Sequence, residues 1–377
     1  MSDTTTTTST TTTTSTSTST TDETTSSSTT TIRTKETLSE CKLKGHKDSV
    51  LCVAIHPTNK LLASSSEDCT VRLWDTDKKS SIKCINDFGT DPVNSVVFNN
   101  DYMLYCSHST KVSCYDIRKP NIILKEHSGQ FSVNNEEINQ ISFDHKYQYI
   151  AAGDDSGQIK IVDITNNKNK LHSTLAKKHT NVCSSVLFRP NSKNELLTGS
   201  MDYSIIHWDY LKGKVLHRES FQQATQQTSS SAKDKQQQQQ PQQKQILNPP
   251  FVNSLDVSSD GKQVAVGLGS GDIVVNEISS FRRIIHLEEA HQAPISQVHF
   301  PKFENHNNSL ISSANDSLII LWNIENTKDE PIDNDKRIRI WTHHHSKVNW
   351  LTTAKITGQC IYVADTSNDI TMLSIHD

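Results

Sequence analysis

The strongest constraint on this chain is a repeated strand unit. Short apolar segments with period-two alternation, which is typical of β-strands, recur along most of the sequence. Seven of these segments begin at Val50, Val93, Ile138, Val182, Val252, Ile295 and Val348. Each is followed by a second short strand, a turn and a third strand. The ends of successive third strands are about 41 to 51 residues apart, and about 67 where a Gln-rich run intervenes.

This period predicts the fold. Units of four short strands that repeat every 40 residues or so are typical of β-propellers, so we expect an all-β, seven-bladed propeller. The chain ends at Ile370–Asp377, which fits the third strand of the seventh unit. The strand pattern at Leu38–Leu43 precedes the first unit. We expect this N-terminal strand to supply the outer strand of the last blade and to close the ring.

Two biased segments interrupt the pattern. Residues 2–31 are almost entirely Thr and Ser, and residues 222–245 are rich in Gln. Neither segment can bury enough apolar surface to offset the entropy lost on ordering. We therefore predict a disordered tail over residues 1–36 and a propeller over residues 37–377, with a disordered insertion at about 222–245.

Three of the units share a further motif of His, Asp and Trp. The His precedes the inner strand, the Trp lies near the end of the third strand, and the Asp lies six residues before the Trp. The three sets are His46, Asp68 and Trp74; His179, Asp202 and Trp208; and His291, Asp316 and Trp322. The motif resembles the marks of the WD-repeat family, and the resemblance covers about residues 38–377. We expect each set to form a buried network in which the Asp accepts from the His and the indole N–H is satisfied.

Composition and charge exclude several classes of function. The formal net charge is −4, whereas nucleic-acid binding normally requires a clustered basic excess. No apolar stretch approaches the length that spans a membrane, and the N-terminus does not resemble a secretory signal. The eight Cys are scattered without a C-x-x-C pair, which favours reduced thiols. We therefore expect a protein of the cytoplasm, the nucleus or both, with no nucleic-acid or membrane partner.

Three candidate chemical sites are better explained as structure. Ser64, His46 and Asp68 could be mistaken for a hydrolase triad, but the same His and Asp types recur beside a Trp in three units. Gly267–Asp272 lacks the Lys and the helix of a phosphate-binding loop. In His343–His345, consecutive strand residues would point to opposite faces, so three side chains could not easily converge on one ion. We therefore expect no catalytic, cofactor or metal site.

The residue after the first apolar position of each inner strand is a candidate for partner binding. In WD-repeat propellers these positions surround the mouth of the central channel, on a face that commonly binds peptides. They are Leu51, Asn94, Asn139, Cys183, Asn253, Ser296 and Asn349. Because Asn carries both donors and acceptors, these residues either bind a partner or join neighbouring blades. Glu137, Phe251 and Trp350 are further candidate contacts at this face.

A second motif lies at the end of the third strand of unit 2. Tyr115-Asp116-Ile117-Arg118 resembles the Trp-Asp-x-Arg box of substrate receptors that dock on damaged-DNA-binding protein 1, the adaptor of the cullin-4 ubiquitin ligase. Tyr replaces the family's Trp here. The resemblance implies that Tyr115, Asp116 and Arg118 dock on this adaptor.

Longer stretches are similar to the family of WD repeat-containing protein 53. These stretches are Val133–Asn139, Asp154–Ile161, Asn181–Pro190, Gln245–Pro249, Lys347–Leu351 and Val363–Asp365. The resemblance implies a candidate substrate receptor that acts with cullin-4 ligases. It does not extend to the Thr/Ser tail or the Gln-rich run.

These features predict a non-enzymatic scaffold for protein–protein interactions. The first hypothesis is a substrate receptor for a cullin-4 type ubiquitin ligase, in which the propeller holds a peptide or protein substrate near the transferring machinery. The alternative is a peptide-reading or chromatin-associated scaffold unrelated to ubiquitin, which would use the same face but not Arg118. We expect a monomer within a larger complex.

Overall fold

Seven β-sheets follow one another along the chain in the computed structural model, which describes residues 37–99, 102–222, 248–303, 308–325, 333–355 and 358–376. The predicted tail and all but the first residue of the predicted insertion lie outside these residues. Two single-turn helices accompany the described strands, a 3-10 helix at Thr165–Asn167 and α1 at Asn334–Arg337. Within the described residues, no helix has the length and apolar character needed to cross a membrane.

The first three blades use strands β1 to β14. Strand β1 (Thr37–Lys44) precedes blade 1. Blade 1 contains β2 (Val50–Ile55), β3 (Leu61–Ser66), β4 (Val71–Asp75) and β5 (Ser80–Ile85). Blade 2 contains β6 (Val93–Phe98), β7 (Met103–His108), β8 (Lys111–Asp116) and, after the short strand β9 (Ile123–Leu124), β10 (Gly129–Phe131). Blade 3 contains β11 (Ile138–Phe143), β12 (Tyr149–Asp154), β13 (Ile159–Asp163) and β14 (Lys170–Leu175).

The remaining four blades use strands β15 to β29. Blade 4 contains β15 (Cys183–Phe188), β16 (Glu195–Ser200), β17 (Ser204–Asp209) and β18 (Lys214–Ser220). Blade 5 contains β19 (Val252–Val257), β20 (Gln263–Leu268), β21 (Ile273–Glu277) and β22 (Arg283–Leu287). Blade 6 contains β23 (Ile295–His299), β24 (Ser309–Ala314), β25 (Leu318–Asn323) and β26 (Ile338–His343). Blade 7 contains β27 (Val348–Lys355), β28 (Gln359–Asp365) and β29 (Asp369–His376).

The N-terminal strand closes the ring, as the sequence predicted. Strand β1 pairs antiparallel with β29 from Thr37 opposite His376 to Lys44 opposite Asp369. It thereby becomes the outer strand of blade 7, and the two ends of the propeller are joined by main-chain hydrogen bonds. The prediction of a seven-bladed, all-β propeller is confirmed.

The core lies between neighbouring blades. Leu73 and Ile85 of blade 1, for example, share one buried cluster with Val96 and Leu104 of blade 2. Burying such an aliphatic side chain contributes about 1.5–3 kcal/mol. Because each of the other blade-to-blade contacts has a similar cluster, the stability of the ring is distributed over these interfaces.

Every inner strand contains a β-bulge at its second residue. In β6, Val93 pairs with His108 and Ser95 with Ser107, so Asn94 has no residue opposite it. The same irregularity occurs in all seven inner strands. The bulge residues are Leu51, Asn94, Asn139, Ser184, Asn253, Ser296 and Asn349. The sequence alignment placed Cys183 in this set and was wrong by one position, because Cys183 is the paired, fully buried first residue of β15.

Candidate protein-interaction surfaces

The His, Asp and Trp of blade 4 form a buried hydrogen-bond network. The Nδ1 atom of His179 lies 3.1 Å from Oδ2 of Asp202, and its Nε2 atom lies 2.7 Å from Oγ1 of Thr198. The indole Nε1 of Trp208 donates to the same hydroxyl at 2.9 Å. Blades 1 and 6 repeat this geometry through His46, Asp68, Ser64 and Trp74, and through His291, Asp316, Ser312 and Trp322. The sequence singled out this hydroxyl only in blade 1, as Ser64. Its constant position ten residues before the Trp would have identified it in all three blades.

In blade 1 this network has the connectivity of a hydrolase triad. The Nε2 atom of His46 lies 2.7 Å from Oγ of Ser64, and its Nδ1 atom lies 3.0 Å from Asp68. However, Ser64 is completely buried, and its oxygen also accepts the indole N–H of Trp74 at 2.8 Å. A nucleophile needs an oxygen that faces a substrate in an open pocket. Ser64 therefore has a structural role: its hydrogen bonds join β3 and β4 to the loop that contains His46.

The Asp of each network is held as a carboxylate. Burial alone would raise the pKa of Asp202, but hydrogen bonds from His179 and from the backbone N–H of Thr180 hold that pKa well below its ordinary value. The pKa values of Asp68 and Asp316 are lowered by the equivalent partners against the same effect of burial. Because a carboxylate only accepts, the Nδ1 atom of each His carries the shared proton.

The bulge residues form a ring of contacts between neighbouring blades. In five of them, the side chain donates to the main-chain carbonyl of the first inner-strand residue in the next blade. The pairs are Asn94 with Ile138 at 3.1 Å, Asn139 with Cys183 at 3.4 Å, Ser184 with Val252, Asn253 with Ile295 at 3.0 Å and Asn349 with Val50 at 2.9 Å. Ser296 instead bonds to Ser313 of its own blade, and Leu51 is apolar. The Asn residues thus join blades, and binding of a partner at these positions stays a prediction.

A second ring of contacts is formed by the third residue of the inner strands, directly after the bulge residue. In blades 2 to 5, a side-chain oxygen accepts a backbone N–H from the following blade. The pairs are Ser95 with Ile141, Gln140 with Val186, Ser185 with Leu255 and Ser254 with Val298, at 2.8 to 3.3 Å. Blade 7 has Trp350 at this position, half-buried against two core clusters. Trp350 therefore packs where the propeller closes.

Glu137 and Phe251 lie beside the ring of bulge residues. Glu137 is exposed, and its carboxylate accepts from the side chain of Asn94 at 2.7 Å. Phe251 is half-buried and stacks on Tyr203, with ring centroids 5.0 Å apart. Asn139 also donates to Asp155 at 3.0 Å. The mouth of the channel on this face therefore carries two carboxylates and an aromatic pair.

Blade 2 carries the Asp-x-Arg motif at the end of β8. Tyr115 is completely buried, and its hydroxyl donates to Asp87 at 3.2 Å. The side chain of Arg118 is 62% exposed, and its Nε and Nη2 atoms bond the two carboxylate oxygens of Asp116 at 2.9 and 2.8 Å. These hydrogen bonds lower the pKa of Asp116 to about 2 and fix the guanidinium at the surface. The structure thus brings Asp116 and Arg118 together and buries Tyr115 in the core.

The segment after Arg118 crosses from blade 2 to blade 1. Strand β9 pairs in parallel with β5, the outer strand of blade 1. The Nζ atom of Lys83 on β5 also donates to the carbonyl oxygen of Asn121 at 2.7 Å. Ile122 and Ile123 remain 73% and 51% exposed. The crossover therefore exposes an apolar pair four and five residues after the ion-paired Arg118, and we call Arg118, Ile122 and Ile123 the rim patch.

Asp116 and Arg118 lie at the face opposite the bulge ring, whereas Ile122 and Ile123 lie on the outer edge of blade 1, beside the end of β5. Strands alternate in direction within blade 2, so β8 runs parallel to β6. Asn94 is at the beginning of β6, whereas Asp116 is at the end of β8. A strand of this length separates the two faces by about 17–20 Å. Arg118 and the bulge ring are therefore two separate candidate surfaces.

A cavity of about 400 Å³ lies where the inner strands end, at the same face as Asp116. Its walls include Phe98, Phe143 and Phe188 from three successive blades. The Nδ1 atom of His299, which also lines it, lies 2.9 Å from Oδ2 of Asp256. The residues predicted from the sequence lie at the beginnings of the inner strands, so the cavity was not predicted. The recurrent Phe at the ends of β6, β11 and β15 is the signal that could have found it.

The Gly-rich segment Gly267–Asp272 comprises the last two residues of β20 and the turn that leads to β21. Gly271 has a φ of +92°, and a side chain there would collide with the carbonyl oxygen of His291. A left-handed backbone in close contact with another main chain favours glycine. The packing of blade 5 against the following loop thus accounts for this glycine.

The histidine triplet is not a continuous strand. Strand β26 ends at His343, and His344 and His345 lie in the loop that leads to β27. Their Nε2 atoms lie 2.6 and 3.7 Å from Oδ2 of Asp365, and their ring centroids are 4.3 Å apart. The expectation that neighbouring side chains diverge fails for this pair, because alternation applies only within a strand.

Comparison with known protein families agrees with the observed fold. The family described as "WD domain, G-beta repeat" matches residues 38–75 and 169–209. The family described as "Nucleolar protein 10-like, N-terminal domain" matches residues 218–373. WD-repeat propellers typically act as non-enzymatic scaffolds for protein–protein interactions.

Relatives extend this similarity to most of the chain. WD repeat-containing protein 53 homolog from Dictyostelium discoideum is 48% identical over 350 residues, which cover 89% of this chain and 94% of that protein. WD repeat-containing protein 37 from Xenopus laevis is 32% identical over 129 residues, which cover 33% of this chain and 24% of that protein. The probable E3 ubiquitin ligase complex SCF subunit sconB from Aspergillus terreus is 48% identical over 48 residues, 13% of this chain and 7% of that protein. The chain therefore belongs to the WD-repeat family, in the group of WD repeat-containing protein 53.

Proposed function

We propose that this protein is a substrate receptor of a cullin-4 type ubiquitin ligase, and that its rim patch docks on the adaptor damaged-DNA-binding protein 1. The observation that carries the proposal is the state of Arg118. Its guanidinium is exposed at the end of a third strand and is oriented by two hydrogen bonds to Asp116. An Arg of fixed geometry is a common anchor at protein interfaces.

The neighbourhood of Arg118 suits burial against a partner. Ile122 and Ile123 add exposed apolar area along the outer edge of blade 1, which a partner larger than a peptide would cover together with Arg118. Asp116 keeps the guanidinium paired, which reduces the cost of removing its charge from water. The crossover segment is tied to blade 1 by β9, so little conformational entropy is lost on docking.

The receptor would act by proximity and not by chemistry. In this proposal the adaptor contacts Arg118 at one face of the propeller and extends over Ile122 and Ile123 on the outer edge, and a peptide or protein substrate binds the opposite face near Glu137 and Phe251. The two contacts are separated by the thickness of a blade, about 17–20 Å. The propeller would thus work as a rigid spacer, as a monomer within the ligase complex, in the cytoplasm or the nucleus.

Binding of the purified adaptor tests the proposal. The wild-type chain and Arg118→Ala would be compared by pulldown and by isothermal titration calorimetry. Arg283→Ala is a matched control, because Arg283 is also exposed and ion-paired, to Glu219 at 3.3 Å on the other side of the ring. We expect Arg118→Ala to weaken binding at least tenfold, as for an interface anchor, and Arg283→Ala to bind like the wild type.

Thermal melts would show that both variants are folded. If the wild type does not bind the adaptor, or if both variants bind equally well, the receptor proposal is wrong. The remaining hypothesis is then the peptide-reading or chromatin-associated scaffold, which does not need Arg118. In that case the next experiment compares the proteins bound by the wild type with those bound by Phe251→Ala, a substitution on the opposite face.

A further inference from the structure

Blade 7 keeps the histidine of the intact networks but has lost its partners. His344 lies four residues before the first residue of its inner strand, as His46 does in blade 1. The strand register puts Val363 where the intact blades have the shared hydroxyl, and Ser367 where they have the network Asp. The Nε2 atom of His344 instead bonds the carboxylate of Asp365 at 2.6 Å. A different polar cluster has therefore replaced the network.

Two imidazoles and one carboxylate converge in this cluster. The Nε2 atom of His345 lies 3.7 Å from the same Asp365 oxygen that His344 contacts. Each of the three residues offers one potential ligand atom, and these three atoms lie within 4.8 Å of one another. Asp365 and His344 are buried, whereas His345 is exposed, so the cluster is accessible from one side.

We propose that His344, His345 and Asp365 form a binding site for a divalent transition-metal ion that prefers imidazole ligands, with Zn²⁺ as the representative ion. Bonds from Zn²⁺ to His nitrogen and Asp oxygen are about 2.0–2.2 Å long, so ligand atoms in a tetrahedral site are about 3.3–3.5 Å apart. The observed separations of 2.6 and 3.7 Å lie on either side of that distance. Three protein ligands leave the fourth position to water.

The proposed ligands are oriented by hydrogen bonds from outside the cluster. The backbone N–H of Ser367 donates to Oδ1 of Asp365 at 2.6 Å, which directs Oδ2 toward the imidazoles. The backbone N–H of His344 donates to the carbonyl oxygen of Ser317 in blade 6 at 2.7 Å. The first bond fixes the direction of the Asp365 carboxylate, as such bonds do in metal sites, and the second holds the backbone of the loop that contains His344. An ion bound here would join the loop between blades 6 and 7 to the second strand of blade 7.

Lys42 on the closing strand provides a distinctive test of this site. Its Nζ atom lies 3.2 Å from Nε2 of His345. Because an ammonium group only donates, this nitrogen is the acceptor, and its lone pair is the one that a metal ion would use. The Lys42 side chain is exposed and can turn into solvent, but its charge opposes a second cation. Removal of this charge should therefore tighten metal binding.

Calorimetric titration of Zn²⁺ into the full chain, purified without a histidine tag, tests the proposal. The variants are His345→Ala and Lys42→Met, with His343→Ala as the matched control from the same triplet. We expect one ion per wild-type chain, affinity at least tenfold lower for His345→Ala, unchanged affinity for His343→Ala and higher affinity for Lys42→Met. Zn²⁺ should also raise the melting temperature of the wild type more than that of His345→Ala.

Three results would overturn the site. The first is a wild-type chain that binds no Zn²⁺ at about 100 μM, a concentration far above that needed for a three-ligand zinc site. The second is equal weakening by His343→Ala and His345→Ala, which would indicate non-specific binding to the triplet. The third is a Lys42→Met variant that binds less tightly than the wild type. Melts in the presence of a chelator would establish that each variant is folded, since all three substituted residues are exposed.

Discussion

Blade 4 and blade 7 use the same histidine position in two different ways. In blade 4, both ring nitrogens of His179 are bonded within the blade, to Asp202 and to the hydroxyl shared with Trp208. In blade 7, the equivalent His344 faces a buried carboxylate beside a second, exposed histidine. A complete network uses its polar groups for stability, whereas an incomplete one leaves ligating groups near the surface.

Blade 2 extends this comparison to the docking motif. A Tyr replaces the Trp at the end of its third strand, and its hydroxyl bonds a loop carboxylate instead of a hydroxyl within the sheet. The following Asp116 and Arg118 pair on the surface, next to the crossover to blade 1. Both sites proposed for this protein therefore lie in blades that lack the complete network.

The largest effect on stability is expected from Trp208→Ala in blade 4. Removal of this fully buried side chain leaves a cavity and deprives the Thr198 hydroxyl of its indole donor. The free energy of unfolding should fall by about 3–5 kcal/mol, measured by urea denaturation. Trp341→Ala is the control, because Trp341 is 57% exposed and its loss should change stability by less than about 0.5 kcal/mol. If both variants lost the same free energy of unfolding, the buried network of blade 4 would not contribute more to stability than an exposed Trp does.

The intact networks should also make the fold sensitive to acid. The pKa of Asp202 is lower in the folded chain than its ordinary value of about 3.9, so its carboxylate stabilises the fold above that pH. This contribution is lost as the pH falls below about 4 toward the lowered folded-state pKa. Asp202→Asn should therefore show a shallower decline in the free energy of unfolding between about pH 5 and 3. A decline as steep as that of the wild type would indicate that other carboxylates control acid unfolding.

Loss of one contact in the bulge ring should have a smaller effect. Asn253→Ala removes the hydrogen bond to the carbonyl of Ile295 in the next blade, and we expect a loss of about 1 kcal/mol. Gln292→Ala is a control at an exposed position on the same face and should leave the melting temperature unchanged. If Asn253→Ala melts like the wild type, the ring does not hold neighbouring blades together.

The smallest effect on stability is expected from Arg118→Ala. Its ion pair with Asp116 is exposed, and such pairs contribute about 0–1 kcal/mol. The unfolding midpoint in urea should therefore stay close to that of the wild type, although adaptor binding is expected to fall. A loss as large as that from Trp208→Ala would mean that the motif supports the blade, as the His and Trp networks do.

Spacing along the chain predicted the parts of the molecule that repeat. The number of blades and the His, Asp and Trp of blades 1, 4 and 6 follow from local patterns that the structure reproduces. The inner strand of blade 4 was misaligned because Val182 before Cys183 is also apolar, and hydrophobicity alone could not locate the bulge. Ser64 was singled out beside His46 and Asp68, but the equivalent hydroxyls of blades 4 and 6 were missed, because Ser and Thr are common in strands and carry a weaker signal than Trp.

The sequence by itself determined the architecture of this protein, because alternation and a constant period are local properties of the chain. Only the tertiary structure decided which side chains meet across large separations in the sequence. Closure brings Lys42 to His345, a bulge turns Asn349 toward Val50, and a crossover attaches the segment after Arg118 to blade 1. The strand pattern at Leu38–Leu43 predicted that the ring closes, but these contacts depend on the exact strand register within the closed ring, which no local pattern encodes.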